Sequence, residues 1–445
     1  MILFYCINKL LCEKINQGGK KFMLKNRKGI TIVALVVTIV VLLILAGVSI
    51  NLVLGNNGII AKAKEAKTKQ AEASQNDLKG MNSLIEQMDS TLNGGSNDNK
   101  EDDGLGKLVN DMGTLPEDTT PYFPSSDFKR REKTNTENGL VIEDTEENEY
   151  VWVVVPKSLY NNTDYNSNNA KKPSSSTDYA NIEYCLQQYT ATYRKGTKYS
   201  DTHKADTENV GWLTSDEYTE LKNSMLKSVY ENGGFYVGRY EAGIVENRTG
   251  YGPTNSDGKQ TIEGLPTPVS KADVYPYTCV TRTQAQNLAS NVNSGTKTSS
   301  LMFGVQWDLV LAFMHHKGNI ADSTLTSNST TIGNYRDNLW TIKNANAQYL
   351  SSGKFVQCPN PFKKESNSSR LLTTGADSSF SVQNIYDIAG NVEEFTLENT
   401  SLTSYPCARR GGDFSFTGSS YPASSRAFIS TGSSSNGLGF RVSLF

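Results

Sequence analysis

The chain has few of the residues on which metal and redox chemistry depend. Its 445 residues include three histidines and six cysteines, and no two cysteines form a Cys-x-x-Cys pair. The formal net charge is only −2, from 44 basic and 46 acidic residues, so no overall field attracts nucleic acid. These scarcities argue against a zinc ribbon, a dithiol oxidoreductase and a general nucleic-acid-binding protein.

Widespread catalytic motifs are absent as well. The sequence contains no His-Glu-x-x-His, no Gly-x-Ser-x-Gly and no Walker loop, so it does not support a zinc protease, a serine hydrolase or an NTPase. The neighbours His315 and His316 would point about 100° apart on a helix, and only His203 remains as a third ligand. We interpret these histidines as surface or capping residues.

The longest apolar run extends from Ile30 to Leu54 and contains no charged residue. It exceeds the roughly 20 residues that span a bilayer, and it is longer than the apolar core of a cleaved secretory signal. The basic residues just before this run are Lys20, Lys21, Lys25, Arg27 and Lys28. The first basic residue after it is Lys62. The positive-inside rule therefore predicts a single-pass membrane protein with a cytoplasmic N-terminus and an extracellular C-terminal region.

Residues 25–33, Lys-Asn-Arg-Lys-Gly-Ile-Thr-Ile-Val, resemble the leader and cleavage site of type IV prepilins. The resemblance implies that a prepilin peptidase cuts between Gly29 and Ile30, that the new N-terminus is methylated, and that residues 1–29 are the leader. A complete short leader also begins at Met23, so both starts stay open. The family usually has glutamate where this chain has Ala34, which leaves open a position at a pilus tip, contact with other pilins, or a simple membrane anchor.

The region after the apolar run reads as a helix followed by a linker. Residues 55–92 carry apolar side chains at helical spacing, which predicts an amphipathic stalk. These side chains are Leu78, Met81, Ile85, Met88 and Leu92. Residues 93–117 are rich in Asn, Asp and Gly, so we predict a polar linker.

Residues 118–445 form the predicted exported domain. The run Tyr150–Val155 is typical of a buried strand, and helical periodicity is best at Glu217–Val229, Arg282–Val292 and Trp307–His315. The rest is rich in Gly, Ser, Asn and Thr. These patterns predict an α+β domain with much irregular loop.

Four stretches of this domain stand out: Gly234–Glu241, Gly304–Asp308, Tyr386–Phe395 and the C-terminal motif from Arg410-Gly411-Gly412 through Arg426 to Gly439-Phe440-Arg441-Val442. In order and spacing they are similar to the formylglycine-generating sulfatase-modifying family. The last two stretches are the more specific. The resemblance covers roughly residues 149–445 and implies a variant of the C-type lectin-like fold.

The oxidase activity of that family resides in two cysteines after the Gly-Gly pair. The matching places here are Phe416 and Tyr421, and no cysteine follows Cys407. Neither ring can replace a thiolate that binds copper(I), so we expect no enzyme of that kind. Free thiols and up to two disulfides both stay open for the four exported cysteines, Cys185, Cys279, Cys358 and Cys407.

The resemblance also implies a calcium ion at the turn that contains Ala-Gly-Asn. The matching ligands are the side chains of Asp387 and Glu394 and the backbone carbonyls of Gly390 and Val392, which are hard oxygen donors suited to calcium. The alternative is that the two carboxylates cap the turn or pair with Arg426 or Arg441. We expect both arginines to form internal ion pairs.

The C-terminal loops have the composition of binding loops, with aromatic rings among small polar residues. Related C-type lectin-like folds display this region in the variable proteins of diversity-generating retroelements. The candidate ligand-binding residues are Asp413, Phe414, Phe416, Tyr421, Ser433 and Asn436. We expect an adhesin-like protein that binds an extracellular protein or glycan. The alternatives are a structural minor pilin that caps or primes a filament, and an enzyme with a different site on this fold.

Overall fold

The computed structural model describes residues 119–194, 198–248, 250 and 252–445. All of them belong to the compact unit Glu101–Phe445. The predicted leader, membrane helix, stalk and linker lie outside the described residues. Within the described ranges, every helix is too short or too polar to traverse a bilayer.

Three of the five α-helices in these ranges were predicted from periodicity. They are α1 (Ser176–Tyr189), α2 (Ser215–Asn232), α3 (Arg282–Ser290), α4 (Gly304–His316) and α5 (Asp322–Thr326). The three predicted helices are confirmed as α2, α3 and α4, whereas α1 and α5 were not predicted. Helix α2 begins with a capping box between Thr214 and Glu217 and ends at Gly233, whose φ is +68°.

The strands of the described residues are mostly short. In chain order they are β1 (Lys129–Arg130), β2 (Val141–Glu143), β3 (Glu149–Val154), β4 (Tyr199–Ser200), β5 (Gly234–Gly238), β6 (Gly243–Ile244), β7 (Tyr275–Pro276), β8 (Ser299–Leu301), β9 (Thr341–Ile342), β10 (Gln348–Ser351), β11 (Lys354–Gln357), β12 (Phe362–Lys363), β13 (Ser381–Val382), β14 (Ile385–Tyr386), β15 (Glu393–Thr400), β16 (Cys407–Arg410), β17 (Arg426–Ile429), β18 (Leu438–Phe440) and β19 (Val442–Leu444).

A six-stranded sheet has the order β1-β2-β3-β5-β19-β8, and each pair is antiparallel. The predicted strand at Tyr150–Val155 is confirmed as β3, in which every residue is buried. Burial on both faces explains why this segment reads as a continuous apolar run. Trp152 anchors it, since its indole N–H donates to Thr119 Oγ1 at 2.9 Å and its ring packs edge-on against Tyr236.

A second sheet positions both predicted sites. Its order is β17-β16-β15-β18, with β4 also paired to β15, and only the β15–β18 pair is parallel. The predicted calcium turn leads into β15, and the candidate binding loops follow β16 and β17. The four cysteines of the described residues are all buried and free, so of the two thiol states left open by the sequence, the structure shows the reduced one.

Candidate functional site

The turn before β15 is fixed by buried amide hydrogen bonds. Asn391 donates through Nδ2 to Glu241 Oε2 at 2.7 Å, and its Oδ1 accepts from Leu372 N at 3.1 Å. Gly390 has a φ of +74°, and a Cβ there would overlap the backbone of Asn334. Only glycine satisfies both conditions without strain. Backbone geometry therefore requires Gly390 at this turn, and the side chain of Asn391 holds it in place.

Three carboxylates are buried around this turn with one guanidinium. Glu394 accepts three hydrogen bonds from Arg441, at 2.7, 3.1 and 3.2 Å, while Asp387 Oδ2 accepts from Gly375 N at 2.9 Å. Burial raises the pKa of Asp387 to about 7. Burial, with the nearby charges of Asp387 and Glu394, also raises the pKa of Glu241 well above its usual value. The site therefore has more acidic groups than its one arginine can balance.

The predicted calcium ligands come together at this turn, but they do not form the expected ligand set. Both oxygens of Glu394 are occupied by Arg441, and the Val392 N–H donates to Glu241 Oε1 at 3.1 Å. No group of three or more His, Cys, Asp or Glu in the described part of the chain is arranged to hold a metal. Calcium at Glu394 would have to displace a guanidinium, so the observed contact is the Arg441 pair that the sequence left open. Calcium binding stays a prediction.

The raised pKa of Asp387 predicts a pH-dependent stability. Because its folded pKa is about 7 and its usual value is 3.8, the stabilising contribution of the neutral carboxyl is fully present below about pH 4 and is lost as the pH rises through about 7. The loss is up to about 4 kcal/mol. Asp387→Asn keeps an acceptor for Gly375 but cannot ionise. In metal-free buffer, melting curves from pH 4 to 8 should fall more steeply for the wild type than for this variant.

The same melting curves test the predicted ion. Calcium bound at Asp387 would offset the loss above pH 7 in the wild type and leave Asp387→Asn unchanged. An equal pH dependence of the two proteins would contradict the role of Asp387. Melting that calcium shifts in neither protein would remove the metal site.

A second buried ion-pair network lies between α4, β15 and the C-terminal motif. Asp308 accepts from Arg410 at 2.9 Å, from Arg426 at 2.7 Å and from Arg194 at 2.7 Å. Glu398 accepts from Arg426 Nε at 3.1 Å. The expectation that Arg426 and Arg441 form internal ion pairs is therefore confirmed.

The loop that carries Phe416 and Tyr421 is hydrogen-bonded to the segment of residues 329–338. The Tyr335 hydroxyl lies 2.7 Å from Gly411 O and 2.8 Å from Tyr421 O. Arg336 N donates to Phe416 O at 2.8 Å. The carboxylate of Asp337 also accepts a hydrogen bond from Gly418 N at 3.1 Å. These hydrogen bonds fix the backbone of the loop that carries the two rings.

Phe416 and Tyr421 form a stacked pair on this loop. Their ring centroids are 4.1 Å apart with planes at 24°, and both side chains are half-buried. The two places that hold cysteines in the resembled family are therefore occupied by two aromatic rings packed face to face. We call this pair the aromatic platform.

The other candidate residues are placed differently. Asp413 is 8% exposed, and its Oδ1 accepts from Ser415 N at 2.7 Å, so it holds the loop in shape. Phe414 is half-buried. Ser433 Oγ lies 2.8 Å from Ser430 Oγ, whereas Asn436 is exposed. Of these candidate residues, the structure pairs Phe416 with Tyr421.

Sequence reasoning missed Arg409 beside the aromatic platform. Its guanidinium pairs with the buried Glu393, the residue that replaces the tryptophan of the resembled family. Burial lowers the pKa of Arg409, and nearby Tyr421 and Asp413 oppose that effect. The signal in the sequence was the first arginine of the Arg409-Arg410 pair before the two glycines, together with a glutamate at an aromatic position.

Comparisons of this chain with known proteins found only weak similarities. No family model matches, and no curated protein matches. Among solved structures, PvdO from Pseudomonas aeruginosa is 15% identical and covers 48% of this chain and 81% of its own, with a TM-score of 0.28. CarF is 14% identical and covers 47% and 85%, with a TM-score of 0.26. Variable protein 1 of Treponema denticola is 14% identical and covers 66% and 84%, with a TM-score of 0.20. Similarities this weak establish neither a shared activity nor a shared ligand.

Proposed function

We propose that this protein is a membrane-anchored surface protein that binds an extracellular ligand through a non-catalytic, C-type lectin-like domain. The aromatic platform is the observation that supports binding. Two stacked rings present rigid, amphipathic area, and large flat rings are the side chains that contribute most at binding surfaces. Because backbone hydrogen bonds fix the loop before any ligand arrives, binding would cost little ordering entropy.

The non-catalytic part of the proposal rests on residue chemistry. Phe416 and Tyr421 occupy the places of the two thiolates, and the described cysteines are buried. Burial raises the pKa of the Cys407 thiol, the one nearest in sequence, so it is a poor nucleophile.

The anchor and its processing rest on the apolar run and the prepilin-like leader. If a peptidase cuts after Gly29, mass spectrometry of the native protein will find Ile30 at the N-terminus. An intact N-terminus upstream of Gly29 would contradict this part of the proposal and leave the binding part unaffected.

We expect the aromatic platform to carry ligand binding. The full chain, purified in mild detergent, is applied to arrays of glycans and extracellular proteins. The double variant Phe416→Ala/Tyr421→Ala should lose at least 10-fold in affinity for the ligand found, since removal of central aromatic anchors costs about 2 kcal/mol or more each.

A second exposed aromatic pair provides the matched control. Tyr405 and Phe428 are 48% and 47% exposed with ring centroids 5.7 Å apart. Tyr405→Ala/Phe428→Ala removes a similar apolar area from the same domain and should leave the affinity unchanged. Loss in the control variant alone would move the site to that pair. Equal affinity in all proteins would place it elsewhere and refute the aromatic platform.

A further inference from the structure

A pocket separate from the aromatic platform lies beside the C-terminal loop. Its volume is about 400 Å³, and it is lined by the segment after β6, by the hairpin β10–β11 and by Ser435 and Asn436. This volume is within the range of small-molecule sites. The sequence-predicted residue Asn436 therefore belongs to this pocket. We call it the Arg248 pocket, after the one charged residue among the described residues that line it.

Arg248 is incompletely satisfied. Its Nη2 donates to Gly250 O at 3.3 Å, while its Nε is buried without a hydrogen-bond acceptor. No carboxylate in the described ranges forms an ion pair with it, unlike Arg410, Arg426 and Arg441. The guanidinium has no carboxylate to balance its charge within the described ranges, so an anionic oxygen entering this pocket would be stabilised by a charge-assisted hydrogen bond.

The pocket is built for reversible binding rather than covalent chemistry. Cys279 is the one thiol that lines it, and burial raises the pKa of that thiol although Arg248 opposes the effect. Cys279 has a φ of +59°, which is rare for a residue other than Gly, Asn or Asp. Its N–H donates to Ser435 O at 3.0 Å. The strained residue thus holds the C-terminal loop at the edge of the pocket.

The remaining lining combines an apolar wall with neutral polar groups. Leu350 and Phe355 supply the wall, and Phe355 is backed by Tyr275 with ring centroids 4.7 Å apart. Asn247 and Asn436 supply amide donors and acceptors. An apolar ring face next to scattered amides and hydroxyls complements a molecule with C–H groups on one side and several hydroxyls on its edge.

We infer that the Arg248 pocket binds a sugar that bears a carboxylate, of the uronic acid class. The carboxylate would accept from Arg248, the ring face would pack on Phe355, and the ring hydroxyls would bond the asparagine amides. A peptide C-terminus fits less well, because such termini are captured by clustered backbone N–H groups. This inference deepens the proposed binding function and rests on it, with a pocket distinct from the aromatic platform.

Two sugars that differ only in the charged group test the inference. Methyl glucuronide and methyl glucoside are titrated by calorimetry against the full chain in mild detergent. We expect the glucuronide to bind at least 10-fold more tightly. Arg248→Gln should abolish this preference, Arg248→Lys should retain part of it, and Lys227→Gln, a change at an exposed lysine on α2, should preserve it.

Asn436→Ala provides a second variant if Arg248→Gln does not fold. Its side chain is exposed, so the variant should keep the wild-type melting temperature and bind the glucuronide at least 3-fold more weakly. Equal affinity for the two sugars, or full binding in both Arg248→Gln and Asn436→Ala, would overturn the inference. N-acetylalanine bound more tightly than the glucuronide would assign the pocket to peptides and overturn it as well.

The outcomes separate this inference from the proposed function. A glucuronide preference that Arg248→Gln removes and Phe416→Ala/Tyr421→Ala preserves supports the Arg248 pocket whatever the arrays show. Array binding that depends on the aromatic platform, with no preference between the two sugars, overturns the pocket alone.

Discussion

Replacing Asp308 by asparagine should lower the free energy of unfolding by about 3–5 kcal/mol, the usual cost of breaking a buried ion pair. The carboxylate is fully buried and accepts from three arginines, of which Arg410 is fully buried too. The asparagine keeps the shape and one acceptor but removes the negative charge. Glu398 would then be left as the one carboxylate facing Arg410 and Arg426.

Denaturant unfolding followed by tryptophan fluorescence measures this loss. Trp307 reports directly, since its indole lies under Arg410 at 5.4 Å and its N–H donates to Ala423 O at 2.9 Å. The control is Lys129→Gln, which breaks a pair with Glu143 in which the lysine is 74% exposed and should cost less than about 1 kcal/mol. Similar losses in the two variants would show that the buried network contributes no more than a surface pair.

Gly412→Ala should disturb the aromatic platform and cost about 2–4 kcal/mol of unfolding free energy. Gly412 has a φ of +74°, and a Cβ there would lie 2.5 Å from Tyr421 O. The left-handed backbone accounts for about 1–2 kcal/mol, and overpacking for about 1–3 kcal/mol. The carbonyl cannot move freely because the Tyr335 hydroxyl lies 2.8 Å from it. We therefore expect weaker ligand binding together with the lost stability.

Gly264→Ala separates the two causes. Gly264 has a φ of +73°, nearly the same as Gly412, and a Cβ there would meet nothing within 4 Å. This variant should show only the backbone cost and bind ligand as the wild type does. If Gly264→Ala and Gly412→Ala lose the same stability, contact with Tyr421 is unimportant and the loop tolerates the added methyl group.

The local pattern of apolar residues predicted one buried strand and three helices, but it missed helix α1. The run at β3 and the periodicity of α2, α3 and α4 were visible because burial and helical spacing are properties of neighbouring residues. Helix α1 was missed, since its buried face includes Asp178 and Cys185 among polar residues. The residue that caps the start of α4 could not be predicted from the sequence either. Asp201 accepts from the first backbone N–H groups of α4 across 103 residues.

The candidate site shows the same division. The sequence correctly indicated that Arg426 and Arg441 are internal struts. It did not identify Asp308, 118 residues from Arg426, as a partner, nor Glu241, 151 residues from Val392, as the carboxylate under the predicted calcium turn. Such partners are brought together only when the chain folds, and no fixed spacing in the sequence reveals them.

The sequence by itself determined that an apolar run starts at Ile30 and that no cysteine follows Cys407, because both are matters of residue type alone. Tertiary structure decided which charges are neutralised, that Phe416 and Tyr421 stack, and that Arg248 lines a pocket. The physical reason is that burial and electrostatic pairing belong to positions in space. Residues far apart in the chain create the environment in which each side chain acquires its charge and exposure.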